Sequence, residues 1–451
     1  MATVVVALSL GVATTYDWAS SRLATHGLRV ANFAVGGRGL ATTQDRSAGQ
    51  TIIEIQNEDV FSTSQLLPLH PVLFASAKRE LAAGRPLTDE HLLPLLLLLS
   101  RAEGAAGEWS DFIGALPQMQ PSALTARSEE LALLPPCYAA MASAVNAYAH
   151  SLHAQCSRAI DDLEASGMER SLFSPEAFQW AHGHVGARKL GFGGAPCAGV
   201  KEVPAGVHGA GVHGSMLPVL DLINHSPDAR QHVEKCEGSW KVVSSVPYEA
   251  GEQMFFDYGH RGNLRLWTQY GFATDDSALA AFDIDEVTLA VESALAPKQE
   301  DVVRKWREWV DRDFVEVEFA AETGPEGCPN VFDWMQSYLF FLDLTDGRAS
   351  DKLNEALIAA VGIADEQGGR SGSGGHVDGV ASHNERTDEI IAHLLRARLE
   401  VLSGKLDECA KWQGDESERI EPLRVLMATE AKAAEKVLGE IEARREETRD
   451  V

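Results

Sequence analysis

The chain reads as an α+β protein, in which β-rich stretches bracket a long helical insert and a helical region follows. Three observations carry this reading. Thr51-Ile52-Ile53-Glu54-Ile55 is a compact β-branched run, and it follows the glycine-rich turn Gly36-Gly37-Arg38-Gly39. From about Leu66 to about Ala187, leucine and alanine recur at helical spacing, punctuated by prolines at 117, 121, 135, 136 and 175. Beyond about Asp283 the helical period returns. Ile390, Ile391, Leu394, Leu395, Leu399, Leu402 and Leu406 fall on one helical face. Leu423, Leu426, Met427, Ala431, Ala434, Val437, Leu438 and Ile441 repeat the pattern.

Taken in order, Val4–Leu10 is apolar with no basic residue before it, so it reads sooner as a buried strand than as the weak apolar core of a leader, which leaves targeting open. Tyr16–Thr25 reads as a short helix with Trp18 and Leu23 inward. Leu92–Leu99 is an apolar run interrupted by Pro94, far short of the ~20 residues a membrane span needs. Trp109, Phe112, Ile113, Leu116 and Pro117 form the end of an amphipathic helix, and His182 and His184 read as ordinary helix residues. Gly191–Gly214 is a glycine-rich loop. Its His208 and His213 have no acidic or cysteine partners at ligand spacing, so no metal is expected. Met216–Ile223 and Trp240–Val246 read as strands. Val302–Trp309 carries a tryptophan pair, Phe332–Leu344 is aromatic and apolar in a helical region, and Gln367–Gly379 is a Gly/Ser-rich loop.

Composition narrows the function. The 451 residues suffice for two or three domains, and a net charge of -27 argues against binding a phosphate backbone, so no nucleic-acid partner is expected. The cysteines at 137, 156, 197, 236, 328 and 409 lie at no CxxC spacing, which argues against structural zinc and suits a reducing compartment.

Asp221-Leu222-Ile223-Asn224-His225-Ser226 is followed by Gly251-Glu252-Gln253-Met254-Phe255-Phe256-Asp257-Tyr258-Gly259, and then by Tyr270-Gly271-Phe272. This ordered set resembles the core of a SET-domain protein methyltransferase of the Rubisco large-subunit lysine methyltransferase-like group. The W-x-x-F-I-x-x-L-P pattern from Trp109 to Pro117 resembles one in that group's helical insert. The resemblance implies a β-rich SET domain split by the insert (1–65 and 188–282 around 66–187) and an all-helical substrate-binding domain over 283–451.

It also implies S-adenosylmethionine as cofactor. Arg38, Gly39 and Leu40 would give backbone contacts to its methionine end, Arg188 would meet its carboxylate, and Asn224 and His225 would bind it. Arg188 follows Ala187, where the group carries a serine. Tyr258 matches the catalytic tyrosine and Tyr270 the channel tyrosine, while Asp221 either shapes the channel mouth or is structural. Read without the resemblance, Gly37-Arg38-Gly39 is a plain turn, Arg188 a surface charge and Tyr258 a strand-end tyrosine. The implied activity is protein-lysine N-methylation of a non-histone protein, with Rubisco large subunit or another plastid protein among the candidates. A SET-fold histidine methyltransferase and a non-catalytic interaction protein stand as alternatives. The implied partner is a protein presenting a lysine side chain. No membrane partner is expected, and the compartment is chloroplast or cytoplasm/nucleus.

Overall fold

The structure, a computed structural model, describes residues 26–33, 37–118, 122–191, 214–229, 231–236, 238–259, 261–275, 279–295, 300–313, 339–344, 348–368, 385–412 and 417–449. The expected elements at Val4–Leu10 and Tyr16–Thr25 lie outside these residues. So do most of the Gly191–Gly214 and Gln367–Gly379 loops, His208, His213 and residues 332–338. The chain divides into two compact units. The first draws on Met1–Thr125, Val145–His260 and Thr268–Phe272, the second on Ala126–Ala144, Arg261–Trp267 and Ala273–Val451. Among the described residues, no helix is long and apolar enough to cross a membrane.

In the first unit, β1 (Leu28–Phe33) and β2 (Gly37–Thr42) form an antiparallel pair. Gly37 takes φ 62° where the hairpin turns, a conformation that costs glycine little. β3 (Thr51–Gln56) is the expected β-branched strand. A register shift between Thr51 and Ile53 puts two consecutive isoleucines, Ile52 and Ile53, into the core. β4 (Phe61–Ser62), β5 (Lys189–Gly191) and β6 (Gly214–Met216) make a small sheet in the order β4-β6-β5. β7 (Asn224–His225) is followed by β8 (Gln231–Cys236) and β9 (Ser239–Ser244), which joins β3 in a sheet ordered β3-β9-β8. β10 (Phe255–Phe256) pairs in parallel with β7. Strands from either side of the insert therefore share sheets: β3 pairs β9, and β4 pairs β6.

The insert is helical, as expected, with helices Pro71–Ala82, Asp89–Ala102, Ser157–Ala165 and Pro175–Arg188 in this unit. Leu92–Leu99 lies inside Asp89–Ala102, and its leucines are buried. Trp109 packs edge-on to Phe61 at 5.2 Å, and Phe112 lies 6.2 Å from the same ring. The motif from Trp109 to Pro117 thus anchors insert to sheet.

The expected strand Met216–Ile223 is corrected. β6 ends at Met216, and Leu220–Leu222 forms a 3-10 turn before β7. Pro218 lacks the N–H a ladder needs, and Val219 sits at φ 82°, so the chain leaves the extended region. The apolar run is buried as a turn: Leu217, Val219, Leu220 and Ile223 are all core residues.

The second unit is mainly helical, with helices Ile284–Ala294, Glu300–Asp313, Asp351–Gly368, Glu385–Cys409 and Ser417–Arg449. It adds a three-stranded antiparallel sheet of β11 (Leu279–Phe282), β12 (Phe340–Asp343) and β13 (Arg348–Ala349). In β12 burial alternates, with Phe340 and Leu342 inward, which is the strand period rather than the helical one expected for this stretch. The helical faces read from the sequence are core faces: Ile390, Leu394, Leu395, Ala434 and Val437 pack with Trp306 and Phe282. Oxygens and sulfur of Cys137, Asp283 and Glu286 come within 4.8 Å of one another, a donor set of cation-binding type. A guanidinium already fills this role, because Arg398 NH2 lies 3.3 Å from Cys137 Sγ and 2.9 Å from Glu286 Oε2. Burial pushes the Cys137 thiol up, so it stays protonated beside that cation.

Candidate active site

The parallel pairing of β7 with β10 sets Asn224 opposite Phe255 and His225 opposite Phe256. This brings the Asn-His motif beside the segment that carries Tyr258. The Tyr258 backbone N–H donates to His225 Nδ1 at 3.2 Å. The same Nδ1 lies 3.4 Å from the Phe256 carbonyl, so the ring is tied to the backbone of β10 and of the segment after it. The Tyr258 hydroxyl donates to the Ile223 carbonyl at 2.7 Å, a bond that spans the two motifs.

Four rings gather here. Tyr258 and Tyr270 lie 4.9 Å apart between centroids, His225 and Tyr258 5.1 Å, and Tyr270 and Phe272 6.0 Å. Burial pushes the Tyr258 phenol well above its ordinary value. Tyr270 and Asp221 push it the same way, while Arg188 pulls it down. At neutral pH Tyr258 is therefore a neutral hydrogen-bonding group and not a phenolate.

Asn224 faces β2. Its Nδ2 donates to the Arg38 carbonyl at 3.0 Å. A Cβ at Gly39 would lie 2.8 Å from Asn224 Nδ2 and 2.9 Å from Gln253 Nε2, closer than real Cβ contacts come. Only glycine permits this approach. Gln253 is held by a bridge to Ala41, and its buried Nε2 finds no hydrogen-bond partner among the described residues. Leu40 lends its carbonyl to the Met254 N–H, while its side chain is fully buried in the core.

Arg188 ends the helix Pro175–Arg188, and its Nε lies 3.4 Å from Asp221 Oδ2. Both side chains are largely buried, at 15% and 6% exposure, so the pair is poorly screened by water. Burial raises the Asp221 carboxyl, opposed by Arg188, Arg38 and the Val219 and Asp221 backbone N–H groups. Val219 is the one positive-φ residue other than glycine among the described residues, and it lies two positions before Asp221. Backbone strain of this kind gathers at functional sites.

The structure thus brings every sequence-predicted site residue into one region: Arg38, Gly39 and Leu40 on β2, Arg188 and Asp221 as an ion pair, Asn224 and His225 on β7, and Tyr258 beside Tyr270. Three neighbours escaped the sequence reading. Phe272 joins the ring cluster, Gln253 adjoins Asn224, and His184 contacts Arg188 with NH1 to Nδ1 at 2.9 Å. The i, i+4 spacing of His184 and Arg188 on one helix was a signal for the last. Gln253 stands inside the motif Gly251–Gly259, but nothing there singled it out.

Residues 37–259, just under half of the chain, match the family model of the SET domain. The structure is similar to that of Rubisco LSMT bound to AdoMet, with 13% identity, 96% of this chain and 92% of that chain covered and a TM-score of 0.56. It is similar also to the SET domain of LSMT bound to lysine and AdoHcy, with 14% identity, 96% and 93% covered and a TM-score of 0.55. Among curated proteins, it resembles the ribosomal lysine N-methyltransferase set11 of Schizosaccharomyces pombe, 32% identical over 16% of this chain and 19% of that protein. The human SET domain-containing protein 4 is 24% identical over 55% of this chain and 54% of that protein. The N-lysine methyltransferase setd6 of Xenopus laevis is 32% identical over 24% of each. The chain thus spans from about a fifth to about half of the length of these curated relatives.

Proposed function

We propose that this chain is an S-adenosylmethionine-dependent protein-lysine N-methyltransferase. The observation that carries the reading is Tyr258: its hydroxyl is fixed on the Ile223 carbonyl, inside a ring cluster and within the SET domain. The residues present suit a ligand with a sulfonium cation and an amino-acid end. Gln253 Nε2 is a buried donor in want of an acceptor, Gly39 lets the Asn224 and Gln253 amides come close to the β2 backbone, and Arg188 supplies a cation. The aromatic rings of Tyr258, Tyr270 and Phe272 suit a weakly hydrated sulfonium, which loses little on leaving water, better than a strongly hydrated ammonium. Arg38, Gly39, Leu40, Arg188, Asn224, His225 and Tyr270 are the residues that would hold it, with Asp221 orienting Arg188.

S-adenosylmethionine, when bound, supplies an electrophilic methyl group. The chain's own part is positioning and desolvation. Tyr258 spends its proton on the Ile223 carbonyl, so its oxygen keeps acceptor capacity for an amine N–H. The ring cluster disfavours an ammonium by desolvation and favours the neutral amine that can attack. The raised phenol pKa argues that Tyr258 orients the amine rather than removing its proton.

The acceptor in this reading is a lysine on a non-histone protein, with Rubisco large subunit or another plastid protein as candidates. The two curated relatives whose names specify lysine methylation support the lysine. A reducing intracellular compartment, chloroplast or cytoplasm/nucleus, goes with it. The free thiols of Cys137, Cys156, Cys236 and Cys409 support that assignment. The test is transfer of label from methyl-labelled S-adenosylmethionine to a lysate of the source organism. Tyr258→Phe is expected to lower transfer about a hundred-fold, the cost of losing one preorganised hydrogen-bonding group. Label on histidine, or binding of S-adenosylmethionine with no transfer at all, would overturn the lysine assignment or the activity respectively.

A further inference from the structure

The helix Pro175–Arg188 carries a hydrogen-bonded chain that the activity has not used. His184 is 1% exposed, and its Nε2 lies 2.8 Å from the Pro117 carbonyl. A carbonyl only accepts, so His184 holds its proton on Nε2 and presents a bare Nδ1. That Nδ1 accepts from Arg188 NH1 at 2.9 Å, one helical turn on. Arg188 Nε in turn faces Asp221 Oδ2. The guanidinium is therefore gripped from two sides, by a neutral acceptor from the insert and by a carboxylate from the turn before β7. Trp180 reinforces the anchor: its Nε1–H donates to the same Pro117 carbonyl at 3.0 Å, and its ring meets His184 edge-on at 4.7 Å.

The tautomer is locked. Burial holds the His184 imidazole well below its ordinary pKa, and the Arg188 charge adds to this, so the ring stays neutral and Nδ1 stays an acceptor. Pro117 closes the W-x-x-F-I-x-x-L-P motif, whose Trp109 and Phe112 pack on Phe61. The motif thereby connects through His184 to the ion pair beside Tyr258.

We propose that His184 is a positioning residue that aims Arg188 at the carboxylate of the methyl donor. This deepens the S-adenosylmethionine reading and rests on it.

Two substitutions separate the two nitrogens of the ring. Asparagine places an oxygen near the position of Nδ1, keeps an acceptor for Arg188 and leaves Pro117 to Trp180. Glutamine reaches the position of Nε2, donates to Pro117 and offers Arg188 nothing at the nearer position. Affinity for S-adenosylmethionine, measured by calorimetry on the full chain, is expected to stay within about three-fold of wild type in H184N and in W180F. In H184Q it is expected to fall about ten-fold, the scale of one charge-assisted hydrogen bond. Adding H184Q to R188A should then cost nothing further, because the two act as one unit. The reverse order, with H184Q like wild type and H184N weak, would show that the ring serves only Pro117 and would overturn the proposal. Should H184Q fail to fold, H184N decides alone, since loss of affinity in a folded H184N contradicts the role. No binding by the wild-type chain is a different result, and it removes the cofactor reading itself.

Discussion

Gly39 owes its identity to the two amides that crowd the Cβ it lacks. A methyl there would lie 2.8 Å from Asn224 Nδ2 and 2.9 Å from Gln253 Nε2, and Asn224 is tied to the neighbouring Arg38 carbonyl. Gly39→Ala is therefore expected to displace Asn224 and weaken S-adenosylmethionine binding at least ten-fold, read by calorimetry. The thermal midpoint should move little by comparison, because Gly39 does not use a positive φ. Unchanged affinity would mean that Asn224 does not meet the ligand. At this scale much of the site was legible. Asn224, His225 and Tyr258 stand in motifs whose order and spacing are linear properties of the chain. Gln253, His184 and Phe272 were not legible as site residues, because what matters for each is a neighbour distant in sequence: Gly39, Pro117 and His225.

At the scale of elements, an acidic helix start is tied to a distant helix. Glu130, at 3% exposure in the helix Ser128–Leu131, accepts from Arg419 in the helix Ser417–Arg449 and from Arg127. Burial pushes its carboxyl up, but Arg419 and Arg127 more than offset this and hold it below the ordinary glutamate value. A depressed carboxyl stabilises the fold above its unfolded pKa, and that stability is lost as pH falls through the folded value. Glu130→Gln is expected to cost about 2 kcal/mol in urea unfolding at pH 7. The gap from wild type should close as pH drops below 4.5, and a gap that persists in acid would assign the cost to packing instead. Helices were legible as elements because their faces repeat at 3.6 residues. The segment Met216–Ile223 was misread because an unbroken apolar run looks the same in a strand and in a buried turn. Pro218 and the left-handed Val219 settled the matter, and a left-handed valine is not something a sequence announces.

For the molecule as a whole, the charge of -27 sets the terms of any encounter. With an acceptor that presents its lysine on a basic face, kcat/KM for the protein acceptor should fall several-fold between about 50 and about 300 mM salt, as screening shortens the reach of the field. Affinity for S-adenosylmethionine should change far less, because the Arg188–Asp221 pair is largely buried and so poorly screened. A rise of kcat/KM with salt would point to an acidic acceptor. The sequence by itself determined the alternation of β-rich and helical stretches, the motif residues and the sign of the field, because period, order and charge are all local or additive. Only the tertiary structure decided that β3 pairs β9 across the insert, that Arg188 is shared between Asp221 and His184, and that Arg398 occupies a donor set of metal-binding type. Those outcomes depend on which residues burial brings together, and distance along the chain does not encode that.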